Sequence, residues 1–344
     1  MYTRDEHKIN YADVDKEAAG IVQRLKAAGH DTYIVGGAVR DLILGKKPKD
    51  FDIASDASPT RIKKIFRNSR IIGRRFRLVH VYFGPRIFEV STFRSLKDGN
   101  SGNTFGTIDE DVLRRDFTLN ALFYDPGQQL VIDYVGGMND IREKRIKPIL
   151  PLAAIFTDDP VRMIRAVKYG AAAGFTLPVQ LKWKIKKQSA LLATISPSRL
   201  TEEISKIIRS SCAAVIVEAL DNMGLYAYLQ PNASRLMRDN PGFRARYLKS
   251  MAALNVDGFK NRPGEAIGAL VNDYLEDTVD WELSPLENYR AAFALARKFV
   301  LPMNPPRFEL DYAVRRFFSS RGVSIKKYHL TERHPAHKPQ GDRD

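Results

Sequence analysis

The spacing of apolar positions changes once along the chain. Up to about residue 150, short apolar runs alternate with turn signals. Tyr33-Ile34-Val35, the segment entered through Asp50-Phe51-Asp52, Arg77–Phe83, Ile87–Phe93 and Leu130–Tyr134 read as strands. Gly84-Pro85 suits a hairpin turn between the third and fourth. Helical spacing fills the intervals. Val14, Ala18, Ile21 and Leu25 mark a helix over 12–28 that Gly29 stops, and Val39–Leu44 is a short helix closed by Gly45. Ser58-Pro59 supplies a cap and a first-turn proline for a helix to about Phe66, and Asp109–Leu122 reads as helical. Residues 97–107 form a polar, Gly-rich loop. From about residue 151 no convincing strand remains, and helical spacing dominates over 159–173, 178–192, 198–209, 212–221 and further segments to about 320. The pattern predicts an α+β head, a mixed β-sheet with flanking helices, followed by an all-helical remainder. The polar, proline-containing tail over 329–344 reads as disordered, its histidines included.

Charge narrows the partner. The 344 residues carry a formal net charge of +15 with pI ≈ 9.7, which favours a polyanion, either nucleic acid or an anionic membrane. The first residues, MYTRDEHKIN, contain no apolar core of a signal peptide, and no run of eighteen apolar residues occurs. That pattern argues against secretion and membrane insertion, predicts a cytoplasmic protein, and leaves nucleic acid as the better partner. The single cysteine, Cys212, sits in an apolar helical context as a small core residue, so neither a disulfide framework nor a Cys-rich zinc site can form.

The candidate chemistry centres on Tyr33–Asp52. The apolar strand ends in Gly36-Gly37, where the backbone can turn tightly and approach a ligand. After the basic turn Lys46-Lys47-Pro48-Lys49 come Asp50 and Asp52, two positions apart and so on one face of a strand. Two adjacent carboxylates repel unless a cation lies between them. The plain reading is an acid pair on an exposed strand; the sharper one is a Mg²⁺ site beside a turn that receives a triphosphate. Glu89, between apolar Phe88 and Val90, is either a third carboxylate for two metal ions or a salt-bridge partner of Arg74, Arg75 or Arg77. Arg40 can grip phosphate bidentately or pair with Asp41 on the surface.

These residues stand in an order that resembles the class II nucleotidyltransferases of the polymerase β superfamily, the tRNA CCA-adding enzymes and bacterial poly(A) polymerases. GGAVRD over 36–41 and DFD over 50–52 resemble the family's catalytic head. Arg114-Arg115-Asp116-Phe117-Thr118-Leu119-Asn120 matches RRDFTxN, and Asp133–Asp140 matches DYxGGxxD. Asp158-Asp159-Pro160-Val161-Arg162-Met163-Ile164-Arg165 matches EDPxRxxR with Asp158 in place of the usual Glu, and Ser198-Arg199-Leu200 with Glu203 and Lys206 is similar to the motif beyond it. The resemblance covers roughly residues 20–230. It implies a head over 1–150, a helical neck over 151–215 that reads the base, and a helical body over 216–328 that binds RNA.

The resemblance also assigns roles. Asp50 and Asp52 would hold two Mg²⁺, with Asp116 or Glu89 completing the acid set. Gly36, Gly37, Arg40 and Asp41 would meet the triphosphate, and Arg115, Asp116 and Asn120 the ribose. Arg165 would be neck support or a further contact. Asp159 and Arg162, three apart at the start of a helix with Pro160 in its first turn, are expected on one face. A carboxylate accepts and a guanidinium donates, which matches the amino group and ring nitrogen of adenine or cytosine and opposes guanine and uracil. The plainer reading is an intrahelical ion pair.

The segment Ile71–Val81 leading into Glu89–Arg94 resembles the bacterial poly(A) polymerase branch, with Arg74, Arg75 and Arg77 placing positive charge beside the site. Lys182–Lys187, including Lys184 and Lys187 around Trp183, together with Arg315–Phe318 and Lys326-Lys327-Tyr328, interleave charge and aromatics as single-stranded RNA binders do. The expected activity is transfer of AMP from ATP to an RNA 3′ end with release of pyrophosphate. CCA addition to tRNA and a non-catalytic RNA-binding role are the alternatives. Neither DNA nor a membrane is an expected partner.

Overall fold

Seven strands form one sheet in the order β3-β4-β5-β2-β1-β6-β7. They are β1 (Thr32–Val35), β2 (Asp52–Ser55), β3 (Ser69–Ile72), β4 (Leu78–Phe83), β5 (Arg86–Thr92), β6 (Leu122–Asp125) and β7 (Leu130–Asp133). The computed structural model describes residues 1–73, 77–95, 105–254 and 264–325. Arg74, Arg75, most of the 97–107 loop, Lys326-Lys327-Tyr328 and the 329–344 tail lie outside the described residues.

The sheet is mixed: β2 and β5 run parallel, and the other paired neighbours are antiparallel. The register builds one end of it. Val35, the last residue of β1, stands opposite Asp52, the first residue of β2, so the acid and the glycine turn emerge together. In the parallel pair Ile53 aligns with Val90. Both are buried, so by strand alternation the preceding residues, Asp52 and Glu89, share the opposite face.

Helices α1 (Arg4–His7), α2 (Lys16–Ala27), α3 (Gly37–Ile43), α4 (Pro59–Ile65), α5 (Ile108–Arg114) and α6 (Gly137–Arg142) accompany the sheet. Helix α2 buries Ala18, Ile21, Val22 and Leu25, the stripe its spacing predicts, and Gly29 follows its end with φ +84°. Ser58 caps α4 by accepting from the Arg61 N–H. Val35, Ala54, Phe93, Val112, Ala121 and Phe123 form one core cluster beneath the site.

Two expectations need correction, and two strands, β6 and β3, were not foreseen. The helix expected over Asp109–Leu122 stops at Arg114. Arg115 and Phe117 are extended, Thr118–Asn120 is one 3₁₀ turn, and Leu122 opens β6. The Asp116 carboxylate takes the N–H of Phe117, an alternative to the helical ladder that short polar side chains commonly offer. Strand β6 was hidden because all four of its residues are buried, which removes the alternation. Asp50 lies just before β2, so the two acids do not share a strand. Edge strand β3 had too little apolar character to be read.

The remaining helices are α7 (Ile155–Asp158), α8 (Val161–Ala173), α9 (Val179–Gln188), α10 (Pro197–Ile208), α11 (Ala213–Asn222), α12 (Tyr226–Leu229), α13 (Pro231–Asp239), α14 (Pro241–Ala252), α15 (Gly264–Thr278), α16 (Pro285–Phe299) and α17 (Arg307–Ser319). One compact unit comprises Met1–Ile207 with Cys212–Leu229 and holds the sheet and α1 to α12; the other comprises Ile208–Ser211 and the chain from Gln230. In the second unit α17 packs against α15 and α16, and Tyr274 stacks on Phe299 with ring centroids 4.1 Å apart. Phe317 and Phe318 are buried there beneath Trp281, so the Arg315–Phe318 stretch is an amphipathic helix and its two aromatics are core.

Candidate active site

The glycine turn is a cradle between two guanidiniums. Gly36 has φ +71°, and Gly37 opens α3. A Cβ on Gly36 would lie 3.5 Å from Arg115 Nη1, and one on Gly37 would lie 3.6 Å from Arg40 Nη2. Both side chains are fixed from behind. Arg40 donates through Nε and Nη2 to Asp41 Oδ1 at 2.9 and 2.7 Å, and through Nη1 to Asn120 Oδ1 at 2.9 Å. Arg115 donates to Asp111 Oδ2 at 3.2 and 2.8 Å and to the Asn120 carbonyl at 3.1 Å, and its guanidinium lies over the Phe123 ring. The Arg40–Asp41 pair of the plain reading is therefore real, and it orients an arginine that faces the turn.

Asn120 is the hub. Its amide donates to Asp116 Oδ1 at 3.1 Å while its oxygens accept from Arg40 and Arg115. The DYVGG segment holds this turn in place. Asp133 accepts from the N–H groups of Val135, Gly136, Gly137 and Met138, and buried Asp140 accepts from the Thr118 hydroxyl at 2.7 Å. A Cβ on Gly137 would meet the Thr118 carbonyl oxygen at 2.3 Å, so only glycine lets α6 approach the turn that carries Asn120. The sequence marked this segment without indicating its task, which is to brace Asn120.

The acidic lip is formed by Asp52, Glu89 and Asp50. Asp52 is exposed at the start of β2, yet the protein around it and then the charges of Glu89 and Asp50 push its carboxyl up to about 6, against the pull of Arg115 and Lys206. Glu89 Oε1 lies 3.4 Å from His80 Nε2 on the neighbouring strand. Asp116 turns elsewhere, to Asn120, to the Phe117 N–H and, at 3.9 Å, to Arg165. Among the described residues no three His, Cys, Asp or Glu side chains form a metal cage. Mg²⁺ needs none, because it is held by one or two carboxylates plus substrate phosphates and water. A hard oxygen donor set whose ionised form is poorly compensated fits such an ion.

Asp159 and Arg162, expected to read the base from one helix face, are arranged differently. Asp159 is not on the helix face with Arg162; it follows α7 in extended backbone, one residue before Pro160, and α8 begins at Val161. The residue before a proline is pushed out of the helical region, which accounts for the break. Asp159 accepts from the Val161 N–H at 3.2 Å and, through both oxygens, from Arg199 Nη2 at 2.9 and 2.8 Å. Arg162 is buried and donates to Asp158 Oδ2 at 2.5 Å, to the Ile155 carbonyl and to the Arg114 carbonyl. The Asp159–Arg162 ion pair of the plainer reading is not what these two residues form. Behind them Glu203 is buried between Arg165 Nε at 2.9 Å and Lys168 Nζ at 2.5 Å. Burial would raise its pKa, but the two cations hold it down to about 2.

Among the RNA candidates, Arg77 is exposed just before β4, Lys184 is half-buried, and Lys187 lies over the exposed Trp183 ring at 4.9 Å. No helix among the described residues is long and apolar enough to cross a membrane.

Two family models match: "Poly A polymerase head domain" over residues 32–147 and "Probable RNA and SrmB- binding site of polymerase A" over 174–237. The Bacillus stearothermophilus CCA-adding enzyme, solved in complex with CTP, is 30% identical with a TM-score of 0.61, over 89% of this chain and 82% of that one. The chain belongs to the class II nucleotidyltransferase family. Among its curated relatives, poly(A) polymerase I of Escherichia coli O6:H1 is 40% identical over 253 residues, 69% of this chain and 54% of the relative. The CCA-adding enzyme of Geobacillus stearothermophilus is 37% identical over 222 residues, 62% of this chain and 54% of the relative. The matched stretch thus spans about half the length of these curated relatives. Both class II branches are represented among them, and each motif of the resemblance stated from sequence lies within the unit that carries the sheet.

Proposed function

We propose that this chain is a template-independent RNA nucleotidyltransferase that transfers AMP from ATP to an RNA 3′ end and releases pyrophosphate. The observation that carries the reading is the register Val35–Asp52, which sets the glycine turn, backed by Arg40 and Arg115, directly beside mutually repelling carboxylates. Such a site neutralises a polyanion at one lip and a cation at the other.

Asp50 and Asp52, with Glu89 as the third carboxylate, would hold two Mg²⁺, which when bound would activate the attacking hydroxyl and neutralise the phosphates. The Gly36-Gly37 turn offers backbone N–H groups, and Arg40 and Arg115 offer guanidinium donors, to the triphosphate oxygens. Asn120, held between both arginines and Asp116, faces the sugar. Asp159 accepts from the amino group of the base and Arg162 donates to its ring nitrogen, a pattern that adenine and cytosine satisfy. The 3′-hydroxyl oxygen of the RNA forms a bond to the α-phosphorus as the bond to the pyrophosphate oxygen breaks. Most of the acceleration comes from positioning and charge neutralisation. Head 1–150, neck 151–215 and body 216–328 are the working divisions. The exposed Arg77, and α9 with Trp183 and Lys187, guide the RNA; α9 lies inside the match to the RNA-binding family model.

Addition of CCA to tRNA is the second reading, favoured by the 37% identity to a CCA-adding enzyme and by a base pair of residues that accepts cytosine as well as adenine. One experiment separates them. ATP alone, CTP alone and both together are offered with Mg²⁺ to generic RNA and to tRNA lacking its 3′ end. Long A-tails on generic RNA support polyadenylation, and CC followed by one A confined to tRNA replaces it with the second reading. No incorporation by the wild type, or full activity in Asp52→Ala, rules out both.

A further inference from the structure

Helix α10 places charged side chains at 199, 203 and 206, a spacing that gathers them on one helical face. Two are already in use at the site. Arg199 holds the Asp159 carboxylate, and Glu203 is buried between Arg165 and Lys168, with Arg165 reaching on to Asp116. The third, Lys206, follows Arg199 by seven residues. It projects within about 20° of the same direction, about 10.5 Å further along the axis.

The two ends of this face correspond to the two ends of the cleft. Arg199 marks the base-reading end. Glu203, midway along the face, is joined through Arg165 to Asp116 and so to Asn120 behind the glycine turn, and Lys206 continues the same face beyond it. Its ammonium is also available. It pairs with Glu202 at 2.6 Å, but both side chains are more than half exposed, and such a pair contributes little and exchanges readily. Lys168, by contrast, is buried and committed to Glu203. A compact point charge at the end of this face suits a phosphate oxygen.

We propose that Lys206 binds a phosphate group in the cleft, so that one face of α10 spans a nucleotide from its base at Arg199–Asp159 to its phosphates at Lys206. The proposal rests on the nucleotidyltransferase reading of the cleft. The phosphate comes either from the triphosphate of the incoming nucleotide or from the last phosphodiester of the RNA, and the chemistry of recognition is the same.

The test compares the full chain with Lys206→Ala and Lys206→Arg. Binding of ATP and of AMP is measured by calorimetry, and the KM for an oligo(A) primer is measured over a series of salt concentrations. With a triphosphate contact, Lys206→Ala weakens ATP about tenfold, leaves AMP unchanged, and Lys206→Arg restores most of the loss. With an RNA contact, ATP binding is unchanged while the primer KM rises and the salt slope falls by about one. Either result supports the assignment. Wild type that prefers ATP to AMP, with Lys206→Ala unchanged toward ATP and primer alike, overturns it while leaving the function intact. Wild type that binds ATP no better than AMP sinks both together.

Discussion

A single guanidinium nitrogen of Arg199 donates to both carboxylate oxygens of Asp159, at 2.9 and 2.8 Å. With the Val161 N–H at 3.2 Å, three of the roughly four acceptor positions of the carboxylate are filled. The open one is on Oδ2, so in the proposed base contact Asp159 would offer one aimed acceptor. Arg199→Ala frees the carboxylate to rotate. The KM for ATP is expected to rise about tenfold with little change in kcat, the scale of one charge-assisted hydrogen bond. Arg199→Lys should recover part of it, since one nitrogen makes both contacts. Steady-state kinetics on ATP and on CTP, run separately, decide this; an unchanged KM for both rejects the role.

Asp52 gives a pH dependence with a definite sign. Its carboxyl is pushed up to about 6, first by the protein packed around it and then by Glu89 and Asp50. The folded protein therefore holds a proton that the unfolded chain releases near the ordinary carboxylate value, and ionising Asp52 costs stability as pH rises through about 6. Without metal, Asp52→Asn should melt higher than wild type at pH 8, the gap closing below pH 4. Mg²⁺ should raise the melting temperature of wild type at pH 8 and fail to do so for Asp52→Asn. The Mg²⁺ affinity of the wild type should fall about tenfold per pH unit below the midpoint.

Glu89 and Asp116 compete for the place of third carboxylate, and their surroundings predict different phenotypes. Glu89 presses on Asp52, whereas Asp116 is tied to Asn120 and the Phe117 N–H. Glu89→Gln should lower the pH midpoint of Mg²⁺ binding and weaken Mg²⁺ about tenfold at pH 8, because it removes both a ligand and a repelling charge. Asp116→Asn should leave Mg²⁺ binding within about twofold, since its neighbours are donors to a different oxygen set. A Mg²⁺ titration at several pH values distinguishes them. The opposite ranking would return Asp116 to the metal.

The residues around these acids show what the sequence could and could not convey. Strands β1, β2, β4, β5 and β7 were legible because apolar runs adjoined turn residues, and α2 because one stripe recurs at helical spacing. Strand β6 was not, because full burial removes alternation, and the helix read through it failed where Asp116 satisfies a backbone N–H locally. At the site, residue types and order identified the Gly36-Gly37 turn, Asp52, Arg40 and Asn120. The partners of Asp159 and Arg162 stayed hidden because they are set by the interruption between two helices at Asp159-Pro160 and by Arg199, forty residues away in sequence. Only the fold brings Arg199 to Asp159.

The buried ions behind this pair should dominate the stability of the unit. Glu203 is the only acid that ion-pairs Lys168 among the described residues, and Arg165 shares it. Glu203→Gln leaves both cations short of a counter-charge in a region where Lys168 is already driven toward neutrality by burial. The expected loss is about 3–5 kcal/mol in urea unfolding, the scale for breaking one side of a buried ion pair. Lys168→Met combined with Glu203→Gln should recover much of it, because a methionine leaves no buried ammonium uncompensated. The acid limb carries the same information. Glu203 is held down at about 2, so its contribution is fully present above the ordinary carboxylate value of 4.5 and is lost as pH falls toward 2. The double variant should therefore show a shallower loss of stability in that window than wild type. A wild-type curve no steeper than that of the double variant would mean that the cluster is ordered without being stabilising. Arg165 would then hold Asp116 through geometry alone.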